Sequence, residues 1–167
     1  MSRLWIALRS VIYATGFLAL WGWVALLSRA LDKHIPLRVP GWSVAPGVVL
    51  FVAGAALALA TIGFFIFEGR GTPAVFDPPK KFVPRGPYRY VRNPMYIGGV
   101  AMLLGWGLYF TSIAMVLFAL VAFLLIHAFV VLAEEPGLGK RFGQEYMDYC
   151  KTVPRWIPRL TRRDLPT

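Results

Sequence analysis

The sequence predicts an all-α integral membrane protein, a single domain over 1–167 with four transmembrane helices, a long cytoplasmic loop and a C-terminal amphipathic helix. Three observations predict it. Hydrophobic residues fill 57% of the 167 positions, above the apolar share of an ordinary soluble domain, so lipid is the solvent they suit. They come in runs long enough to span a bilayer. The 18 Lys and Arg, against 8 Asp and Glu, gather between and after those runs. That is how helix ends face anionic headgroups, and it excludes a nucleic-acid partner, whose basic residues would be interleaved through a polar domain.

Taken in order, 1–67 holds two N-terminal spans. The runs Ile6–Leu27 and Val44–Phe67 are 22 and 24 residues long, enough at about 1.5 Å per residue to cross a core of roughly 30 Å. Arg3 stands just before the first run and Arg9 near its start, with no small-residue cleavage site after the apolar residues that follow, the form of an uncleaved signal anchor. The cytoplasmic loop 68–93 carries Gly69, Gly71, Pro73, Pro78, Pro79, Pro84, Gly86 and Pro87, which predicts turns and coil rather than helix. The segment 94–133 lacks a charged side chain from Met95 to Ala133, nearly twice a span, so it must fold back as a hairpin. The turn is expected at Tyr109–Ser112, where Gly105 and Gly107 loosen the helix and Tyr109 and Phe110 suit the interface.

The cytoplasmic segment 134–167 contains a stretch, Gly139–Tyr149, with Phe142, Tyr146 and Tyr149 at helical spacing and Lys140, Arg141, Glu145 and Asp148 around them. It predicts an amphipathic helix lying on the inner surface. Fifteen of the eighteen basic residues then fall on one side, and only Arg29, Lys33 and Arg38 on the other. The positive-inside bias makes the protein multi-pass with both termini cytoplasmic, in the inner membrane if the source is bacterial. Cys150, the single cysteine, excludes an intrachain disulfide, and no cluster with metal-ligand spacing accompanies it.

Three groups of residues carry chemistry. Glu134-Glu135-Pro136 follows the last apolar run directly, where a carboxylate is costly unless paired or serving a cationic ligand. The pair marks either the water boundary, neutralised by Lys140 and Arg141, or a ligand site. His127 is the lone ionisable residue of the hairpin, seven positions before Glu134 and so on the same helix face. It reads as packing glue between helices or as a proton acceptor. In Arg89–Gly99, Asn93 is placed to cap a helix and Pro94 suits its first turn. The free N–H groups there favour an anionic group, with Arg89 or Arg92 as counter-charge. Gly98 and Gly99 permit close approach, either of a ligand or of another helix.

The fragments Gly86-Pro87-Tyr88-Arg89, Arg92-Asn93-Pro94-Met95-Tyr96-Ile97-Gly98, Glu134-Glu135-Pro136, Phe142–Tyr149 and Val153-Pro154-Arg155-Trp156-Ile157-Pro158 together resemble the isoprenylcysteine carboxyl methyltransferase family and its relatives among phospholipid N-methyltransferases. The match covers roughly Phe82–Arg159. Arg92-Asn93-Pro94 stands where the carboxyl methyltransferases have Arg-His-Pro, and Phe129, Val130 and Val131 occupy the stretch where they carry an arginine. The Asn-Pro-Met-Tyr form is closer to phosphatidylethanolamine methyltransferases, the tail to the carboxyl methyltransferases.

The resemblance implies a methyltransferase using S-adenosylmethionine on a lipid-like substrate drawn from the membrane, with the C-terminal amphipathic helix closing a cofactor pocket. It implies that Tyr88, Asn93, Tyr96, Gly98, Gly99, Glu134 and Glu135 contact the cofactor. His127 or Glu134 would take a proton from an amine acceptor, and Arg89 would hold a carboxylate one. Two other readings stand beside it. The tail also resembles NADPH-dependent sterol-type reductases, and a non-enzymatic membrane subunit is the third.

Overall fold

The computed structural model describes residues 3–64 and 85–159. Most of the expected loop, including Glu68, Arg70, Lys80 and Lys81, lies outside the described residues, as do Arg162 and Arg163. The architecture is all-α: α1 (Arg3–Ser28), α2 (Val44–Phe64), α3 (Pro94–Tyr109), α4 (Ile113–Phe129), a π-helical turn (Val130–Glu134), α5 (Glu135–Phe142) and α6 (Gln144–Thr152). Short 3₁₀ turns occupy Arg29–His34, Gly41–Ser43 and Gly86–Arg89.

The expectation of four transmembrane helices is corrected. Among the described residues, two helices are long and apolar enough to cross a membrane: Gly41–Phe64 and the continuous rod Ile113–Phe142. The hairpin's first arm falls short because Pro94 opens it and Thr111, in the left-handed region at φ 51°, ends it. Its 16 residues rise about 24 Å, less than the roughly 30 Å of hydrocarbon. The fold is still that of a multi-pass membrane protein, and Val49, Val52 and Leu59 on α2, with Leu124, Leu125 and Leu132 on the rod, turn exposed apolar side chains outward.

The C-terminal amphipathic helix is corrected as well. Gly143, at φ 58° and ψ −136°, breaks the expected Gly139–Tyr149 into α5 and α6, a backbone conformation that suits only glycine. Nor, among the described residues, does this segment wall the cavity within the bundle. That cavity, of about 360 Å³, is walled by residues of α1, α2, α3 and α4, none beyond Ile126.

α2 and α3 pack backbone to backbone. A Cβ on Gly54 would lie 2.6 Å from the Gly98 carbonyl oxygen, and one on Gly98 would lie 2.7 Å from that of Gly54. Two turns away, Gly47 and Gly105 repeat the arrangement, a Cβ on Gly47 falling 2.8 Å from the Gly105 oxygen. Seven-residue spacing on both helices makes one seam of small residues, where dispersion replaces the absent hydrophobic drive. Ser43 Oγ donates to the Leu108 carbonyl (2.9 Å) and fixes the far end of the seam. α4 is started by Ser112, whose hydroxyl accepts from Met115 N–H, and by Asp32, whose carboxylate accepts from Ala114 N–H at 2.8 Å.

Candidate functional site

One polar cluster sits where the start of α3, the end of the α4 rod and the tail meet. The seam brings α3 against α2, so Pro94–Tyr96 are held at the mouth of the bundle. The Tyr96 hydroxyl donates to Glu134 Oε2 at 2.9 Å. Tyr96 and Gly99 also line the cavity, with Met95, Met102, Trp106 and Trp21 among the other walls. Tyr96 therefore touches both the polar cluster and the apolar chamber.

The adjacent carboxylates diverge. Glu134 faces Tyr96, whereas Glu135 is the centre of an ion triad. Arg155 donates to it from Nε (2.8 Å) and Nη2 (2.7 Å), and Arg92 Nη1 from the other side (2.8 Å). The two-pronged Arg155 contact fixes direction as well as distance, and it holds the Arg155 guanidinium above its usual range. Arg92 Nη1 also reaches Cys150 Sγ at 3.0 Å. Arg92 Nε is buried and has no hydrogen-bond partner among the described residues.

The π-helical turn explains why the acids part. Such a turn uses about one residue more than an α turn. The face that carries His127 is thus continued by Glu135 and not, as the seven-residue spacing suggested, by Glu134. Consistently, His127 lies within electrostatic reach of Glu135. His127 Nδ1 accepts a hydrogen bond from the Trp156 indole at 2.9 Å.

The tail is laced to the loop before α3. Arg92 N–H donates to the Pro154 carbonyl (2.9 Å), Arg159 N–H to the Tyr90 carbonyl (3.1 Å) and Asn93 Nδ2 to the Arg155 carbonyl (3.1 Å). The Tyr149 hydroxyl donates to the Tyr88 carbonyl at 2.7 Å, and burial pushes its ionisation well above the usual tyrosine range, so it keeps the proton it shares.

The structure thus gathers Asn93, Tyr96, Gly99, Glu134, Glu135 and His127 at one end of the bundle. Asn93 stands at the cap position without making a side-chain cap, its amide being turned to the tail. Gly98 is buried in the seam against Gly54, while Gly99 meets nothing within 4 Å and faces the cavity, which separates the two uses left open for this pair. Tyr88 is half-buried, and its ring lies 6.5 Å from that of Phe64. Arg89 is exposed on the 3₁₀ turn. Sequence reasoning missed Arg155 and Trp156 as partners of Glu135 and His127. Their sole signal was membership in Val153–Pro158, a fragment that carried resemblance but no spacing argument.

The family model described as phospholipid methyltransferase matches residues 42–145. Among curated relatives, the cobalt-zinc-cadmium resistance protein CzcN of Cupriavidus metallidurans is 29% identical over 153 residues, covering 81% of this chain and 70% of its own length. The nickel-cobalt-cadmium resistance protein NccN of Alcaligenes xylosoxydans xylosoxydans is 27% identical over 152 residues, with the same two coverages. The family match takes in more than half of the chain and runs from α2 into α6, through Tyr96, Glu134 and Glu135. The chain belongs to the phospholipid methyltransferase family, and it is an S-adenosylmethionine-dependent methyltransferase acting on a lipid-like acceptor in the membrane.

Proposed function

We propose that the cluster of Arg92, Tyr96 and Glu134 holds the cofactor, and that the cavity behind Tyr96 takes the apolar part of the acceptor. The observation that carries this reading is the double role of Tyr96, which lines the cavity and donates to Glu134. S-adenosylmethionine presents one carboxylate and two cationic centres, an ammonium and a sulfonium. The donor set fits that pattern. Arg92 Nε is a buried donor in need of an anion, and Glu134 is a half-buried carboxylate suited to a cation.

When bound, the cofactor supplies a methyl group on an already activated leaving group. The protein's task is then to align two partners and keep water out. Arg92 and Glu134 bind, Tyr96 orients, and the triad around Glu135 keeps Arg92 in place. Gly99 leaves room at the junction. An amine acceptor must shed a proton, and Glu134 is the carboxylate beside the chamber that would receive it. Arg89, exposed on its turn, serves instead as a surface cation for acidic headgroups. The cluster faces the cytoplasm with both termini, as the positive-inside bias requires.

The test is retention of cofactor by purified full-length protein in detergent. Titration calorimetry should show binding of S-adenosylmethionine and none of NADPH. Binding of NADPH alone would make the protein a reductase, and binding of neither would make it a non-enzymatic subunit. Labelled-methyl transfer into a native membrane extract, with identification of the product, then names the acceptor.

A further inference from the structure

We propose that His127 and Trp156 form a latch that positions the cofactor site, and that His127 serves there as a hydrogen-bond acceptor and not as a proton-transferring base. The inference rests on the reading that the Arg92–Glu134 cluster holds S-adenosylmethionine.

The tail from Val153 to Arg159 crosses the mouth of the bundle as an irregular strap. On one side it is fastened to the loop before α3 by the Arg92–Pro154 and Arg159–Tyr90 backbone bonds and by Asn93 on the Arg155 carbonyl. On the other side it meets the α4 rod at two consecutive residues. Arg155 grips Glu135, and Trp156 inserts its ring beside Phe123 (centroids 5.1 Å, edge to face) and donates its indole N–H to His127 Nδ1 at 2.9 Å.

Trp156 and Arg155 are adjacent, so seating the indole sets where the guanidinium reaches. Arg155 sets Glu135, Glu135 shares its Oε1 with Arg92 Nη1, and Arg92 is thereby aimed with Nε unused. An indole can only donate. His127 must therefore present a lone pair at Nδ1, and an imidazolium could not hold the latch. The groups facing His127 are Trp156 from the tail, Phe123 one turn earlier on its own helix, and the Glu135 carboxylate within electrostatic reach. A nitrogen committed to Trp156 is not available to take a proton from an acceptor.

The test compares three variants by S-adenosylmethionine titration and by the pH profile of turnover. Trp156→Phe keeps the ring and loses the donor, His127→Leu loses the acceptor, and His127→Asn keeps an acceptor where Nδ1 stood. We expect Trp156→Phe and His127→Leu each to weaken cofactor binding about tenfold, the double variant to be no weaker than either single one, and His127→Asn to bind within about twofold of the parent. Parental turnover at saturating cofactor in His127→Asn, with the same pH profile, supports the latch. Parental binding in folded Trp156→Phe overturns it, and so does normal binding with abolished turnover in His127→Asn, which would make the residue a base. A parent that binds no S-adenosylmethionine overturns the reading of the cluster itself, an outcome the variants cannot mimic.

Discussion

Two regions hold α3 in place, and they do so by opposite physics. Along its length, α3 is fixed to α2 by a seam of glycines, with Gly98 and Gly105 against Gly54 and Gly47 and no polar side chain among the four. At its start, it is fixed by charge: Arg92, Glu135 and Arg155, with Tyr96 on Glu134. The seam fixes how close the backbones come and is indifferent to direction. The ion cluster is directional but adjustable, since long side chains can shift by tenths of an ångström where two backbones in contact cannot. Stability is therefore expected to concentrate in the seam and ligand affinity in the cluster.

The largest effect should come from the seam. In Gly98→Ala the new methyl meets the Gly54 carbonyl oxygen at 2.7 Å and the Ala58 backbone nitrogen at 3.0 Å, so a helix must move. A loss of about 1–3 kcal/mol is expected, read as a fall in the thermal unfolding midpoint in detergent. Its neighbour is the control. Gly99→Ala meets nothing within 4 Å, and its stability should stay within about 0.5 kcal/mol of the parent. Equal losses in the two would abolish the distinction between seam and cavity.

The cluster should answer the other way. Glu135→Gln keeps the shape but leaves Arg92 and Arg155 without their shared anion, and cofactor binding should weaken at least tenfold, about 1.4 kcal/mol. The protein should remain folded, because the seam is untouched. Unchanged affinity in a folded variant would separate the triad from the site. Tyr96→Phe removes one hydrogen bond and keeps the ring at the chamber, so about 1 kcal/mol is expected in turnover or affinity. An effect on stability alone would return Tyr96 to the seam side of the comparison.

The sequence made the first region easier to read than the second. Charge-free length from Met95 to Ala133 required a fold-back, and the chain turns at Phe110–Ser112, inside the expected Tyr109–Ser112. The placement of Glu134–Glu135 as an ionisable site was also legible, because carboxylates beside lipid need a partner. The partners were not. Arg155 lies 20 residues from Glu135 and Trp156 lies 29 from His127, separations that no periodicity links. The π-helical turn was hidden too, since nothing in Val130–Glu134 distinguishes it from α-helix by composition, and it reassigned the helix face from Glu134 to Glu135. The first arm of the hairpin failed as a span on a local detail. Thr111 in the left-handed region stops α3 after 16 residues, and a threonine carries no sequence mark of that conformation.

The smallest effect sharpens the comparison from outside, because α6 carries an ion pair of the same chemistry as the Glu135 triad but in water. Asp148 accepts from Lys151 Nζ at 2.7 Å and from Gln144 Nε2 at 2.9 Å, and these two hydrogen bonds hold its carboxyl below the ordinary value of 3.8. A carboxyl depressed in the folded state contributes stability above its unfolded value and loses it as the pH falls through the folded one. The increment should therefore be present in full at neutral pH and begin to fade only as the pH falls below about 4, towards the lower folded value. Exposure and salt screening keep it small. Asp148→Asn should leave cofactor affinity at the parental level and shift the unfolding midpoint slightly at pH 7 in low salt, with the shift gone at 1 M salt and shrinking as the pH is lowered below about 4. If this exposed pair proved as consequential for binding as the Arg92–Glu135–Arg155 triad, partial burial at the mouth of the bundle would not be what gives the triad its weight.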